Sequence, residues 1–116
     1  MYICIMKAEK TKAQMRKGIL ELCVLSIIKG SEVYPSDIIK ELKEHKLIVV
    51  EGTIYPLLNR LKDAALLSYK WKESKSGPPR KYYQITDHGE DVLQDLITTW
   101  NDLNIAVNKT IKTIAV

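Results

Sequence analysis

The sequence has few cysteines and no long apolar run, and both shortages narrow the class of protein. Its two cysteines, Cys4 and Cys23, cannot build the disulfide framework of a small secreted domain, and a reducing compartment disfavours a bond between them. No stretch is apolar for long enough to span a membrane. The apolar run at residues 1–6 is too short for a signal peptide. We therefore expect a cytoplasmic protein with no membrane partner.

The residue patterns of catalytic and metal sites are missing as well. His45 and His88 lie far apart in the sequence and away from any cysteine cluster, so neither fits the spacing of a zinc site. The sequence has no Ser-His-Asp or Cys-His arrangement, no paired-carboxylate motif and no phosphate-binding glycine loop, for which the single Gly52 is insufficient. We therefore expect no enzyme, no cofactor and no metal site.

The charge that is present is unevenly distributed. The chain has 116 residues, 46% hydrophobic and 28% charged, with a net charge of +4, which suits one globular domain. Residues 1–18 and 70–81 each carry five cations and one anion, whereas residues 82–108 carry five carboxylates and no Lys or Arg. Basic patches on a nearly neutral body favour a nucleic-acid partner. Ordinary solvated faces explain the same charge runs equally well.

Apolar periodicity and turn residues predict the elements of the chain. Gly30 ends the first helix, Thr53 caps the third with Pro56 in its first turn, and Thr86 or Asp87 caps the last. A tight Gly77-Pro78-Pro79 turn separates two strands. The predicted helices and strands are, in order, residues 11–29, 36–45, 53–64, 66–73, 80–86 and 87 to about 110.

This order of elements predicts a mainly α (α+β) fold, a winged helix-turn-helix with a two-stranded wing. The predicted division is a flexible extension at residues 1–13, a DNA-binding domain at 14–86, a dimerisation helix at 87–110 and a tail at 111–116. In such a fold the helix at 53–64 would enter the major groove and the helix at 36–45 would brace it. The alternative is an ordinary amphipathic helix with a solvated face.

The last helix carries an apolar stripe that is long for a small domain. Its positions repeat at a spacing of seven residues, and they are Leu93, Leu96, Ile97, Trp100, Leu103 and Val107. A stripe that a small core cannot absorb suggests a second subunit. Trp100 is then expected to be a buried interface aromatic, whereas Trp71 is expected to pack on the wing. Tyr82 and Tyr83 alternate on a strand, so one of them should face the core.

Three segments resemble the PadR-like transcriptional regulators. EGTIYPLLNRL at residues 51–61 is similar to the family's recognition helix, GPPRKYYQITDHG at 77–89 to its wing, and KGILELCVL at 17–25 to its first helix. The resemblance covers roughly residues 14–107 and implies a homodimeric winged-helix regulator of the small subfamily with one C-terminal helix. One departure is Tyr34-Pro35-Ser36 where the family has a His-Gly pair before the second helix.

The resemblance also implies partners and contacts. Such a protein is usually a repressor that holds a pseudo-palindromic operator in double-stranded DNA and releases it when a small aromatic or drug-like effector binds, with Trp100 at the position of a tryptophan between subunits. Asn59 and Arg60 would reach base edges or phosphates. The cations of the wing would contact the DNA backbone. Ser76 joins the wing, and the candidate DNA contacts are Tyr34, Ser36, Thr53, Tyr55, Pro56, Asn59, Arg60, Lys75, Arg80 and Lys81.

Two further functions fit the same sequence. One is a winged-helix module that binds protein, whose basic wing serves solubility or an acidic partner. The other is a constitutive DNA-binding protein without an effector. Steep salt dependence would favour DNA over protein as the partner.

Overall fold

The predicted order of elements is confirmed, with one additional helix at the start. The computed structural model describes residues 2–47, 49, 51–75 and 77–111. Ser76 and residues 112–116 of the predicted tail lie outside the described residues. Five helices and a two-stranded antiparallel sheet make a winged-helix fold with a long last helix: α1 Tyr2–Gly18, α2 Leu20–Ile28, α3 Pro35–Glu44, α4 Glu51–Asp63, β1 Leu67–Ser74, β2 Gly77–Ile85 and α5 Asp87–Thr110.

The segment predicted as one helix over residues 11–29 is two helices. Helix α1 runs from Tyr2 to Gly18, and α2 begins at Leu20 after a turn at Ile19. Gly18 weakens the helix at this point because glycine loses more backbone entropy than other residues when it becomes helical. Among residues 8–28, the buried positions start at Leu20, so the break allows α2 to follow the core. Residues 2–13 thus belong to a helix, and the proposed division into domains stays a prediction.

Helices α3 and α4 end in the same way. At the end of α3, Lys46 has φ 62° and the Leu47 N–H donates to the Leu42 carbonyl at 2.8 Å. At the end of α4, Ala65 has φ 63° and the Leu66 N–H donates to the Leu61 carbonyl at 3.0 Å. Both are Schellman caps with a non-glycine residue in the left-handed position. They fix the direction in which the chain leaves each helix.

Helix α4 begins earlier than its sequence predicts. Its first residue is Glu51 rather than one after Thr53, so Pro56 lies in the second turn instead of the first. There the missing N–H of Pro56 removes a hydrogen bond to the carbonyl of Gly52, four residues before it. The inward stripe is nevertheless confirmed, because Ile54, Leu57, Leu58 and Leu61 are all buried.

The wing turns before its Gly-Pro-Pro sequence. Strand β2 already begins at Gly77, which pairs with Ser74, so the prediction of Gly77-Pro78-Pro79 as the turn is wrong and Lys75 lies in the turn instead. A two-stranded sheet leaves one edge of β2 free, where proline costs no ladder hydrogen bond. The pairing continues to Leu67 opposite Ile85, and Val33 adds an isolated bridge to Tyr83.

The core lies where α2, α3, α4, the base of the wing and the start of α5 meet. It is almost entirely aliphatic, and its residues are Leu20, Val24, Leu25, Ile28, Ile38, Leu42, Ile54, Leu57, Leu58, Leu61, Leu66, Leu67, Tyr83 and Leu93. Burying such side chains is the main favourable term in folding. Cys23 is a half-buried free thiol, and burial raises its pKa. Within the described ranges, no helix is sufficiently long and apolar to cross a membrane.

Candidate nucleic-acid interface

The outer face of α4 is exposed among the residues that the structure describes. Tyr55, Pro56, Asn59 and Arg60 are exposed, because the helix turns its leucine and isoleucine stripe toward the core. Thr53 is half-buried at the border. Neighbouring residues in a helix point about 100° apart, so these side chains cannot all look in one direction. The structure divides them into two groups.

The first group faces the wing. Tyr55 and Asn59 line a cavity of about 360 Å³ between α4, the start of α3 and the two strands, called here the wing cavity. Six of the ten predicted DNA contacts meet in it. Its lining residues are Tyr34, Pro35, Ser36, Tyr55, Asn59, Trp71, Pro79, Arg80, Lys81 and Tyr83.

Arg80 fixes the wing to the start of α3. Its guanidinium donates a hydrogen bond to Ser36 Oγ at 2.9 Å, and its Cζ lies 3.6 Å from the centroid of the Tyr34 ring. The Tyr34 ring in turn lies 3.9 Å from that of Tyr82. Cation–π contact and hydrogen bonding together hold the arginine in one orientation. The wing is therefore placed beside α4 before any partner arrives.

Glu32 offsets positive charge at the Tyr82 end of the stack that Arg80, Tyr34 and Tyr82 form. Its carboxylate pairs with Lys72, lies 3.8 Å from Lys70 Nζ and accepts a hydrogen bond from Gln84 at 2.8 Å. The hydrogen bond with Lys72, followed by that with Gln84, lowers the pKa of Glu32, and the same contact with Glu32 raises the pKa of Lys72. Lys70 and Lys72 thus share the single negative charge of Glu32, which offsets one of the five positive charges of the wing. Lys75, Arg80 and Lys81 remain to face a partner.

The second group faces α2. Thr53, Pro56 and Arg60 line another cavity, of about 280 Å³, together with Lys17, Leu20, Glu21 and Leu57. The Arg60 guanidinium pairs with the Glu21 carboxylate at 2.6 Å. Arg60 is therefore directed away from Asn59 and held by an acidic residue 39 positions earlier in the chain. The residues near Arg60 in the sequence do not predict its ion pair with Glu21.

Trp71 is the residue of the wing cavity that sequence reasoning missed. It was expected to pack on the wing, and its ring does meet that of Tyr69 edge-on at 6.3 Å, yet 61% of its surface is exposed. Lys81, its partner in the strand register, lies 5.3 Å from its ring centroid. One feature of the sequence indicates that Trp71 belongs to this cavity. Tyr69 and Trp71 alternate along β1, opposite the basic end of β2. Of the tyrosine pair, Tyr83 is buried as expected for one member, and Tyr82 stacks on Tyr34.

The predicted stripe on α5 changes character along the helix. Leu93 is 1% exposed and belongs to the core of the protomer, so the prediction that it faces a second subunit or an effector is not supported by its position. Leu96 and Ile97 pack half-buried on the core, whereas Trp100, Leu103 and Val107 are exposed. The Trp100 cavity, of about 100 Å³, is lined by Gly18, Ile19, Glu21, Leu22, Leu96, Thr99, Trp100 and Leu103.

An exposed helix fixed beside a cationic wing defines a winged-helix protein of the kind that regulates transcription. The family model described as "Transcriptional regulator PadR-like family" matches residues 24–95, more than half of the chain. The chain belongs to this family. Its members are transcriptional regulators rather than enzymes.

Solved structures agree with this assignment. The chain is 54% identical to a PadR-like transcription factor from Bacteroides fragilis, covering 87% of this chain and 98% of that one, with a TM-score of 0.73. A PadR family regulator from Eggerthella lenta is 31% identical over 97% of this chain and 99% of its own, with a TM-score of 0.89. Bacillus subtilis PadR, solved in complex with operator DNA, shares the fold with 24% identity and a TM-score of 0.64, covering 68% of this chain and 45% of that longer one.

Proposed function

We propose that the protein is a homodimeric repressor of transcription that binds operator DNA in the cytoplasm. The observation that carries the proposal is the wing cavity, where the exposed side of α4 and the cations Arg80 and Lys81 face one opening. The operator complex of Bacillus subtilis PadR supports it, since that protein has the same fold. Helix α4 would lie in the major groove and the wing on the neighbouring backbone.

The residue roles follow from this arrangement. Asn59 would read a base edge, and Tyr55, Thr53 and the start of α4 would contact phosphates. Tyr34 and Ser36 would hold Arg80 toward the backbone, with Lys75 and Lys81 beside it, and Pro56 would shape the contact surface. Arg60 would have to leave Glu21 before it could reach DNA. It is therefore the weakest member of the proposed set.

The second half of α5 supports the homodimer. Three of its exposed apolar side chains recur at spacings of three and four residues, which places them on one face of the helix; they are Trp100, Leu103 and Val107. Monomers rarely leave a long apolar stripe of this kind open to solvent. A two-fold axis through this surface would set two α4 helices on half-sites about one helical turn, roughly 34 Å, apart. Sedimentation equilibrium tests this, with Leu103→Asp expected to give a monomer.

The effector that the family resemblance implies would bind beside Trp100. The Trp100 cavity holds about 100 Å³, whereas sites for drug-sized ligands occupy about 300–1,000 Å³. A partner subunit would have to complete the site. The second candidate is a constitutive regulator without an effector. Titration of a Trp71→Phe variant with anilinonaphthalene sulfonate, followed by Trp100 emission, separates them: a response that also lowers DNA affinity supports the effector, and none supports the constitutive form.

DNA binding is tested with the protein's own upstream region. Fluorescence anisotropy with a labelled duplex of that region should give tighter binding than a scrambled duplex. Because each protomer offers several cations, affinity should fall by about a thousandfold between about 50 and 200 mM salt. Equal, weak binding to both duplexes would reject the repressor and leave the protein-interaction module as the explanation of the wing.

The base-reading role is tested by Asn59→Ala. We expect operator binding to weaken by about 1–3 kcal/mol while binding to the scrambled duplex stays unchanged. Asn101→Ala is the matched control, since Asn101 is an equally exposed asparagine on α5, away from the wing cavity. If both variants bind the operator like the wild type, Asn59 does not read the DNA.

A further inference from the structure

Trp71 is a large aromatic side chain left open to solvent. It stands on β1 with 61% of its surface exposed, and its ring is perpendicular to that of Tyr69, with the centroids 6.3 Å apart. Trp combines the largest apolar surface of any side chain with an indole N–H that seeks an acceptor. An exposed Trp therefore favours a partner that offers both an apolar surface and hydrogen-bond acceptors.

The surroundings of Trp71 are cationic. Lys81 Nζ lies 5.3 Å from the Trp71 ring centroid and 4.4 Å from that of Tyr69. Arg80 lines the same wing cavity on the neighbouring position of β2. The partner that fits is therefore anionic, with Lys81 beside the indole and Arg80 in the same cavity.

The position of Trp71 connects the wing with α4. It lines the wing cavity together with Tyr55 and Asn59 of α4. A ligand that fills this cavity and touches both α4 and the wing is within reach of the indole. A sugar-phosphate backbone satisfies all three conditions, because the deoxyribose is apolar, the phosphate oxygens accept hydrogen bonds and the charge is negative.

We propose that Trp71 is a DNA-contacting residue, packing its ring on a deoxyribose and donating its indole N–H to a phosphate of the strand that passes between α4 and the wing. The inference rests on the proposed function and deepens it. Because the contact is with the backbone, Trp71 supplies affinity without reading sequence. It completes a clamp of which Arg80 and Lys81 are the charged members.

The chain's two tryptophans make the test direct. In a Trp100→Phe variant, Trp71 is the sole source of tryptophan emission. Titration with the upstream duplex should shift and quench this emission in parallel with the anisotropy of a labelled duplex. The matched control is Trp71→Phe, in which Trp100 emits. DNA should change that emission much less, because Trp100 lies on α5 beside α2.

Affinity provides the second measurement. Trp71→Ala should weaken binding to the upstream and scrambled duplexes by the same factor, about tenfold, whereas a base reader would lower only the first. Circular dichroism checks the fold of the Trp71→Ala variant. If this variant does not fold, the emission of Trp71 in the Trp100→Phe variant still tests the inference. Unchanged Trp71 emission with saturating DNA overturns the inference. The inference also fails if raising the protein concentration quenches this emission and adding DNA does not. If the wild type binds neither duplex, the proposed function itself fails.

Discussion

The two halves of α5 have the same sequence pattern and opposite surroundings. In the first half, Gly89 and Leu93 are buried, and Val92, Leu96 and Ile97 pack against the core. In the second half, every residue from 98 to 111 is exposed, including Trp100, Leu103 and Val107. One helix thus belongs partly to the fold of the protomer and partly to a surface outside it.

This difference separates two kinds of stabilisation. The first half contributes to a core that forms within one chain, so its energy is independent of protein concentration. The second half can contribute only when something covers it, so its energy depends on the concentration of that partner. Substitutions on the two halves should therefore differ in how their effects scale with concentration.

The largest expected effect is that of Leu93→Ala. Leu93 is 1% exposed, so truncation leaves a cavity and should cost about 3 kcal/mol of unfolding free energy, within a range of about 2–5. Leu103→Ala is the matched control on the exposed half. Urea unfolding should show that Leu93→Ala lowers the free energy of unfolding by the same amount at every protein concentration.

The loss for Leu103→Ala should instead be small at low concentration and appear only where the wild type self-associates. If Leu103→Ala destabilises a dilute monomer as much as Leu93→Ala does, the second half of α5 belongs to the protomer fold after all, and the comparison between the halves fails.

Sequence reasoning reached the existence and length of α5 but not this division. Thr86 before an acidic first turn marks its start, and the apolar repeat carries it to Thr110, as the structure confirms. The apolar repeat predicts, however, only that one face of the helix is buried. It does not indicate whether that face packs against the same chain or against a second one. Only the packing of α2 and the core against the first turns places Leu93 inside and leaves Leu103 outside.

The candidate interface shows the same limit. The motif at residues 51–61 predicted an exposed helix, and the wing cavity brings Tyr55 and Asn59 together with Arg80. The direction of Arg60 depends on Glu21, which no local pattern connects to it. The turn of the wing depends on strand register, which set Gly77 opposite Ser74 and moved the Gly-Pro-Pro sequence into the strand.

Gly89→Ala should have the next largest effect. A Cβ at this position would meet the backbone carbonyl oxygen of Leu66 and lie 2.7 Å from Ile85 Cγ1, so α5 must move away from the wing. We expect a loss of about 2 kcal/mol by overpacking, although alanine is the better helix former. Thermal unfolding measures it. Gly52→Ala, where an added Cβ meets nothing within 4 Å, is the control and should cause little loss. Equal melting temperatures for wild type and Gly89→Ala would show that the contact between α5 and the wing is not tight.

Thr86→Val should have the smallest effect and is the sharpest test of how the first half is anchored. Thr86 Oγ1 accepts the Gly89 N–H at 2.9 Å and donates to the carbonyls of Ala65, at 2.7 Å, and Leu66, at 3.1 Å, so one hydroxyl caps α5 and ties it to the end of α4. Valine keeps the shape and removes these hydrogen bonds, which should cost about 1 kcal/mol. Thr98→Val, on the exposed half, should stay within about 0.5 kcal/mol of the wild type in the same urea experiment. If the two substitutions cost the same, the cap adds nothing and only Leu93 and its neighbours hold α5 to the core.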